Sequence, residues 1–190
     1  MKRIYYIAFF SVIILSACKG KAKDSVVVAD STNKAIQDSA LKYHDVVIDE
    51  KSSAFLVRLS DVLKTELQIA GMAQHLAITP AVKDFAATLF DDLTAMNDST
   101  NSLSARKNVT LPTTLSKDHL DQIESFKKTL GLAADKFFIS YVVKNHESMM
   151  EQFKNALLDT KDPEVRSLSD IDLLLFKKYL ATAKSIQPTL

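Results

Sequence analysis

Between residues 53 and 186 the chain repeats apolar residues at steps of three and four, which is the spacing of one face of an α-helix. Prolines and short polar stretches divide this pattern into five segments. Glycine occurs only 3 times, tryptophan is absent, and 47% of the residues are hydrophobic. This composition favours a helical globular protein over a β-rich or disordered one. The first expectation is therefore an all-α fold.

Helix start and stop signals place the boundaries of the five helices. Thr79 can cap the second helix, and Pro80 suits its first position. Ser116 can cap the short third helix and Gly131 can end it. Asp162, followed by proline and glutamate, is a strong start signal for the fifth. The predicted spans are 53–78, 80–106, 116–131, 133–158 and 163–186.

Each predicted helix has one apolar face, and in the first helix Glu66 interrupts it. Four long amphipathic helices with short connections describe a four-helix bundle, with one short helix crossing between the second and the fourth. The predicted buried positions are Phe55, Leu59, Val62, Glu66, Ile69, Ala73 and Leu76; then Val82, Ala86, Leu89, Leu93, Met96 and Leu103; then Ile123, Phe126 and Leu130; then Phe138, Val142, Asn145 or His146, Met149, Phe153 and Ala156 or Leu157; and finally Val165, Leu168, Leu175, Tyr179, Ala183 and Ile186.

The N-terminus has the pattern of a bacterial lipoprotein signal. Lys2 and Arg3 precede an apolar run that ends in Leu15-Ser16-Ala17-Cys18. We expect residues 1–17 to be the signal peptide and Cys18 to become the lipidated first residue, so that the protein's partner is a membrane, reached through that lipid. The alternative is an uncleaved membrane anchor, which needs about 20 apolar residues, more than this run provides.

Lipidation of Cys18 also restricts the chemistry of the rest of the chain. Because Cys18 is the only cysteine, no thiol remains for a disulfide, a thiolate metal site or a nucleophile. The residue after Cys18 is a lysine. In some lipoproteins an aspartate at this position causes retention at the inner membrane. We therefore expect attachment to the outer membrane, facing the periplasm.

Residues 18–51 are rich in lysine, aspartate, serine, threonine and alanine. Such a segment buries too little apolar surface to offset its ordering entropy, so we predict a flexible tether. Within this segment a helical turn over 33–42 has weak support. The alternative to a solvated tether is that its basic residues lie near anionic headgroups. Residues 52–190 then form the helical domain.

Charge and motifs exclude several functions. The formal charge is +1, and removal of Lys2 and Arg3 with the signal leaves 22 basic residues against 23 acidic ones. The mature chain therefore has no excess of positive charge with which to bind nucleic acid. No nucleophile elbow or phosphate-binding loop is present, and no catalytic residue is predicted. Asp91 and Asp92 are adjacent on a helix and point about 100° apart, so they cannot act as a facing carboxylate pair.

Several short motifs between Phe55 and Ile186 together resemble one bacterial family. The chain is similar in their order and spacing to the domain-of-unknown-function family DUF4142, whose members are usually exported. The resemblance implies a ferritin-like up-and-down four-helix bundle with one short extra helix, but no established activity. The motifs are Thr65-Glu66-Leu67, Ala70-Gly71-Met72-Ala73, Pro80-Ala81-Val82-Lys83-Asp84-Phe85-Ala86, Asp91-Asp92, Val109-Thr110-Leu111-Pro112, and Asp135 with His146 and Phe153.

The family pattern implies inward acids and histidines on several helices, and this sequence keeps Glu66, Asp92 and His146. Leu93 and Tyr179 stand where two histidines are expected, and Asn145 replaces an acid. A zinc or di-iron site needs three or four converging ligands. We therefore predict no metal and no cofactor, but a buried polar cluster. Its members are Glu66, Asp92, His146 and Tyr179, and within it Glu66, His146 and Tyr179 can form one hydrogen-bonded group. The first alternative is a reduced metal site that uses Glu66, Asp92 and His146, with or without Tyr179. The second is solvent exposure of one or more of the four.

A second metal pattern combines methionine with histidine. Met72 precedes His75 by three residues, and His146 precedes Met149 by three, with Met150 adjacent. Thioether and imidazole ligands suit Cu(I), but methionine is more often a core residue, and His75 can complement a helix C-terminus. His44 and His119 have no ligand-type neighbours at useful spacing, so both are expected at the surface.

Two functional hypotheses follow. The first is a lipid-anchored, non-enzymatic helical bundle of the cell envelope that acts in binding or in stress tolerance, with an unknown protein partner. The second is a metal-binding protein for iron, zinc or copper, or a metal-dependent oxidoreductase on a ferritin-like frame. Leu93 and Tyr179 favour the first hypothesis, because they replace expected ligands.

Overall fold

The computed structural model describes residues 23–43 and 48–190. The signal segment 1–17, Cys18 and His44 lie outside the described residues. Within them the protein has six α-helices and no strand, which confirms the all-α prediction. No described helix is both long and apolar enough to cross a bilayer. The helices are α1 Ser25–Tyr43, α2 Glu50–Leu76, α3 Pro80–Arg106, α4 Lys117–Lys127, α5 Leu132–Asp159 and α6 Pro163–Ile186, followed by a short 3-10 turn over Gln187–Thr189.

Asp49 and Asp162 cap the starts of two bundle helices. The Asp49 carboxylate accepts a hydrogen bond from the backbone N–H of Ser52 at 3.1 Å and so caps α2. Asp162 accepts from the backbone N–H groups of Glu164 and Val165 at 2.9 and 3.2 Å, and Pro163 follows it at the first position of α6. Side-chain caps of this kind satisfy backbone donors that have no partner within the helix. The predicted start signal of the last helix is therefore observed.

The other predicted boundary residues act differently. Neither Thr79 nor Ser116 makes a side-chain cap bond to its own helix. Instead the Thr79 hydroxyl donates to Asp135 on α5 at 2.5 Å. Gly131 does not end α4, which already stops at Lys127; it precedes α5 with a φ of 62°, a left-handed value that favours glycine. Tertiary contacts thus replace local caps at these positions.

Helices α2, α3, α5 and α6 form the bundle. The start of α2 lies beside the end of α5, where the Lys161 N–H donates to Asp49 at 3.1 Å, and the end of α2 lies beside the start of α5, where the Gly131 N–H donates to the Leu76 carbonyl. The end of α3 meets the start of α6 through an Arg106–Glu164 ion pair at 2.8 Å. Residues 107–131 must therefore return along the bundle, with α4 packed on α2. One such long crossover is typical of ferritin-like folds.

Aromatic rings line the core from one end of the bundle to the other. Phe55 packs edge-on against Phe153 at 5.7 Å between centroids, Phe153 against Phe176 at 5.0 Å, and His146 against Phe176 at 4.2 Å. Tyr179 continues the series with its ring 6.4 Å from that of His146. Such offset and edge-on contacts add to the stabilisation from burying the rings. The polar residues of the core are thus embedded in this aromatic series.

The predicted buried faces match α2 and α3 well and α6 less well. All the predicted positions of α2 and α3 are buried except Leu76, which is half-buried. On α6 the buried face also includes Asp172 and Phe176, which the predicted stripe omits, because α6 packs against both α5 and α3. Leu130, predicted to be buried, is exposed since it lies beyond the end of α4.

Helix α1 differs from the sequence prediction, which placed a flexible tether over residues 18–51. Its buried face consists of Ala29, Asn33, Gln37 and Ala40, and it packs on α2. Asn33 exchanges two hydrogen bonds with the backbone of Thr110, at 2.8 and 3.0 Å. Because small residues and amides make this contact, the sequence gave only weak support for a helical turn over 33–42 and no sign that it docks. Over Ser25–Tyr43 the tether prediction is therefore replaced by a docked helix.

Candidate functional site

The centre of the bundle contains a carboxylate paired with an imidazole. Glu66 on α2 and His146 on α5 are both 0% exposed, and Glu66 Oε1 lies 2.6 Å from His146 Nε2. The apolar stripe of α2 turns Glu66 inward, since Glu66 occupies one position of that stripe. Removing two such groups from water is costly unless each satisfies the other. The pair is therefore first of all a means of keeping two buried polar groups bonded.

The second nitrogen of His146 is also occupied. Its Nδ1 lies 3.1 Å from the backbone carbonyl oxygen of Phe176 on α6. A carbonyl only accepts, so Nδ1 carries a hydrogen and donates it. A second hydrogen bond joins Nε2 to Oε1 of Glu66. His146 consequently links α2, α5 and α6.

Asn145 completes the hydrogen bonding of Glu66. Its Nδ2 donates to Glu66 Oε2 at 2.8 Å, so both carboxylate oxygens have partners. The sequence left open whether Asn145 or His146 points inward. In the structure His146 is fully buried and Asn145 is half-buried. Both residues contact Glu66 because adjacent helix positions flank the same carboxylate. Asn145 therefore connects the buried pair to the outside of α5.

Asp92 and Tyr179 form a separate pair on the other side of the bundle. The Tyr179 hydroxyl donates to Asp92 Oδ2, and Lys178 Nζ lies 3.6 Å from the same oxygen. Burial, helped by the nearby Asp92 carboxylate, raises the pKa of Tyr179, so the phenol stays protonated and donates. The Asp92 side chain is 41% exposed. This pair is thus at the edge of the core.

The four residues of the predicted cluster are therefore arranged as two pairs. Glu66 and His146 are hydrogen-bonded to each other, and Tyr179 bonds Asp92, while His146 and Tyr179 meet only edge-on through their rings. Sequence reasoning placed the Tyr179 hydroxyl with the Glu66 group, but it donates to Asp92 instead. No hydrogen bond joins the two pairs among the described residues.

The donor set does not fit a ferritin-type metal centre. In the part of the chain that the structure describes, no three histidine, cysteine, aspartate or glutamate side chains converge as a metal site requires. Both nitrogens of His146 and both oxygens of Glu66 already have partners. Leu93, at the position of an expected histidine, is a core residue. An ion at the bundle centre would have to displace these hydrogen bonds to gain its ligands.

The two methionine–histidine patterns are in different environments. Met149 is fully buried, and its neighbour His146 has no free nitrogen. Met72 and His75 instead line a shallow groove of about 420 Å³ between α2 and α3, together with the ring of Phe90. Of the two patterns, Met72 and His75 are the pair that can reach a solute.

Sequence reasoning missed a second carboxylate–histidine pair. His119 Nδ1 lies 2.8 Å from Asp61 Oδ2, and the side chains are 19% and 5% exposed, so the prediction of a surface His119 is wrong. Burial would raise the pKa of Asp61, but hydrogen bonds from His119 and from the Ser116 backbone outweigh it and lower that pKa. The sequence gave no signal for this pair, because Asp61 lies beside the apolar stripe of α2 and only the packing of α4 on α2 brings His119 to it.

Two further buried aspartates were not assigned a role by the sequence. Asp135 accepts hydrogen bonds from the backbone N–H groups of Ile78 and Thr79 at 2.9 and 3.1 Å, and from the Thr79 hydroxyl. It thereby fixes the turn between α2 and α3 to α5. Asp172 on α6 is 2% exposed, its Oδ2 has no partner, and burial raises its pKa to about 7.

The comparison with protein-family models adds to this geometry. The model described as "Domain of unknown function (DUF4142)" matches residues 39–186. The chain belongs to the DUF4142 family. This confirms the predicted family, and the match begins inside α1, in the segment predicted to be a tether. A search of curated proteins found no match to this DUF4142 protein.

Solved structures share the fold of this DUF4142 chain at low sequence identity. The "Crystal structure of DUF305 fragment from Deinococcus radiodurans" has a TM-score of 0.69 and 12% identity, and covers 76% of this chain and 100% of its own. Structures of CopM in its Cu(II)-bound and Cu(I)-bound forms have TM-scores of 0.63 with 15% and 16% identity, and each covers 73% of this chain and 96% of its own. At such identities the likeness shows the helical fold alone.

Proposed function

We propose that this DUF4142 protein is a non-enzymatic, lipid-anchored binding module of the cell envelope, attached through Cys18 to the outer membrane and facing the periplasm. The non-enzymatic part of the proposal rests on the hydrogen bonding of Glu66 and His146, the pair at the centre of the bundle. Both Glu66 oxygens and both His146 nitrogens are bonded within the bundle, and neither side chain is exposed. A general acid or base must come within hydrogen-bond reach of a substrate. The pair is better suited to joining helices than to chemistry.

Docking of α1 supports a close attachment to the membrane. Only six peptide units separate Cys18 from Asp24, and Asp24 accepts a hydrogen bond from the Lys117 backbone at 3.0 Å. At about 3.3–3.6 Å per residue, six residues span roughly 20 Å at most. A lipid on Cys18 would therefore hold the bundle near the bilayer surface, with a much shorter connection than a free segment of residues 18–51 would give.

Lipidation is tested by metabolic labelling with an alkyne-tagged fatty acid. We expect the wild-type chain to be labelled and to sediment with outer membranes, and Cys18→Ser to lose the label and accumulate as the longer precursor. Ser16→Thr keeps the cysteine and serves as the processing control. An unlabelled wild-type chain, or a labelled Cys18→Ser chain, would overturn the anchor.

A second candidate function is copper binding, and the two CopM structures in copper-bound forms favour it over iron or zinc. Met72 and His75 lie three residues apart on α2, so they share one face and line one groove. Thioether and imidazole groups are ligands that Cu(I) accepts. Under this alternative the groove between α2 and α3, rather than the bundle centre, would hold the ion.

Competition with a chromogenic Cu(I) chelator separates the two candidates. Copper binding predicts one equivalent of retained Cu(I), lost in Met72→Leu and His75→Gln but kept in Met150→Leu. Elemental analysis of the same samples detects iron or zinc, which would instead depend on Glu66, Asp92 or His146. Stoichiometric metal of any kind in the purified protein would favour the metal-binding alternative.

A further inference from the structure

A groove of about 640 Å³ runs along the outside of the bundle between α4 and α5. It exists because α4 is 11 residues long and packs mainly on α2, which leaves part of the 28-residue α5 uncovered. Phe137 lines the groove and stacks on Phe126 of α4, with 5.1 Å between ring centroids. Its volume lies within the range of about 300–1,000 Å³ that is usual for small-molecule sites.

The rim of the groove is positively charged. Lys136 and Lys144 of α5 both line it, and neither forms an ion pair with any described residue. They are eight positions apart, about 12 Å along the helix axis. Their flexible stems allow both ammonium groups to approach a ligand between them. The rim thus offers cationic charge that the protein itself leaves uncompensated.

The floor of the groove contains an unused hydrogen-bond donor. Tyr141 lies between the two lysines in sequence and lines the groove, and its hydroxyl oxygen is buried without a hydrogen-bond partner. Burial, reinforced by the charges of Glu66 and Asp61, raises the pKa of Tyr141 well above its usual value, so its hydroxyl stays protonated. An unpartnered buried hydroxyl is unfavourable. The side chains over the Tyr141 oxygen shield it from solvent, so a ligand acceptor would relieve this cost once those side chains move aside.

His119 adds a further polar atom from α4. Its Nδ1 is bonded to Asp61, whose lowered pKa keeps that carboxylate ionised, so Nδ1 is the donor. Nε2 has no hydrogen-bond partner among the described residues, and His119 lines the groove. Asn145 links the groove to the buried Glu66. Cations, one hydroxyl donor and aromatic surface are therefore gathered in one place.

We propose that the groove between α4 and α5 binds a small organic monocarboxylate with an apolar body, whose carboxylate is held by Lys136, Lys144 and the Tyr141 hydroxyl. The apolar body would lie against Phe137. This inference rests on the proposed binding role and names the ligand class of that role. Two exposed lysines without ion-pair partners complement the charge of an anionic ligand, and the aromatic lining favours an organic carboxylate over a small inorganic anion.

The probe is 2-naphthoate, titrated calorimetrically into the full chain in lipid nanodiscs, with empty nanodiscs as the blank. We expect saturable binding with one site, and at least tenfold weaker binding of the neutral 2-naphthamide. Lys136→Ala/Lys144→Ala should weaken naphthoate binding at least tenfold, and Tyr141→Phe about fivefold. The control Lys83→Ala/Lys177→Ala removes the same charge from exposed positions on α3 and α6 and should leave the affinity unchanged.

The inference would be overturned by the absence of saturable binding, by equal binding of the neutral amide, or by equal loss of affinity in both double-lysine variants. Competition by inorganic phosphate at the same concentration as naphthoate would also overturn it, because the groove would then be a simple anion site. Tyr141→Phe keeps the ring, so a folded variant with weakened binding isolates the hydroxyl. Fatty-acid labelling of the same samples reports on Cys18 separately, so loss of the anchor and loss of ligand binding are distinguishable.

Discussion

His146 Nε2 and Glu66 Oε1 lie 2.6 Å apart across the α5–α2 interface, and neither side chain has any exposed surface. The two residues are 80 positions apart in the chain, and His146 also bonds the Phe176 carbonyl of α6. A buried pair of this kind is weak evidence for added stability, but removing one partner leaves the other unsatisfied. Single and double substitutions of the pair should therefore differ in their effect on stability.

Glu66→Ala should reduce the free energy of unfolding by roughly 3–5 kcal/mol, since it leaves a cavity and an unpaired imidazole. His146→Leu should cost less, about 1–3 kcal/mol, because Glu66 retains Asn145 and can bind a proton. The double variant Glu66→Leu/His146→Leu should be within about 1–2 kcal/mol of wild type, since hydrophobic replacement of a buried pair is often neutral. Urea denaturation at pH 7 measures all three, with exposed Asp98→Asn on α3 as control. A wild-type unfolding midpoint for Glu66→Ala would contradict a structural role.

Asp172 should make stability depend on pH. Burial raises its folded-state pKa from 3.8 to about 7, so between these values the folded chain holds a proton that the unfolded chain has lost. The stability from this proton is complete below pH 3.8, declines as pH rises, and is gone above about 7. Asp172→Asn should therefore be more stable than wild type at pH 7.5, by a margin roughly 2 kcal/mol larger than at pH 5.

Urea denaturation of both proteins across pH 5–8 measures this margin. Asp170→Asn, at an exposed position of the same helix, is the matched control and should follow the wild-type pH profile. Parallel profiles for wild type and Asp172→Asn would show that Asp172 gains a hydrogen-bond partner or water in solution.

Docking of α1 should depend on its two amides. Asn33 bonds the Thr110 backbone, and Gln37 Nε2 donates to Ser53 Oγ at 2.9 Å. Since each hydrogen bond contributes about 1 kcal/mol, Asn33→Ala/Gln37→Ala should increase amide hydrogen exchange in α1 at least tenfold while exchange in α2 changes little. Hydrogen-exchange mass spectrometry makes the comparison, and Asp38→Asn, at an exposed position of α1, is the control. Unchanged exchange would mean that Ala29 and Ala40 suffice to hold the helix.

Asp135 should be necessary for the turn between α2 and α3. It accepts from the backbone N–H groups of Ile78 and Thr79 and from the Thr79 hydroxyl, so Asp135→Ala leaves three donors without their partner. We expect a loss of about 2–4 kcal/mol, compared with less than about 0.5 kcal/mol for exposed Asp118→Ala. Thermal unfolding followed by circular dichroism distinguishes them. Equal melting temperatures would contradict the anchoring role.

The fold was predictable because the helical pattern is repeated over long segments. Predicted ends of the second helix at 80 and 106 coincide with those of α3, and the aspartate–proline signal at 162–163 starts α6 as expected. Helix α1 was not predictable in this way, because its contact surface consists of alanine and amides rather than large apolar residues. A hydrophobic period cannot report a surface that is held by hydrogen bonds.

The candidate site was only partly predictable. Glu66 and His146 stood out because polar residues interrupted apolar stripes, and that signal needs no partner information. Asp61 and His119 gave no such signal, since their pairing depends on where α4 lies against α2. The partner of Tyr179 was misassigned to the Glu66 group for a similar reason, because helix rotation decides which of two nearby carboxylates its hydroxyl reaches.

Sequence alone determined the helical class, the number of bundle helices and the family, since local periodicity and residue spacing are properties of the chain itself. Only the tertiary structure decided which carboxylate meets which histidine, how α1 docks, and where α5 remains uncovered. These features depend on distances between residues far apart in the chain, and no local pattern encodes them.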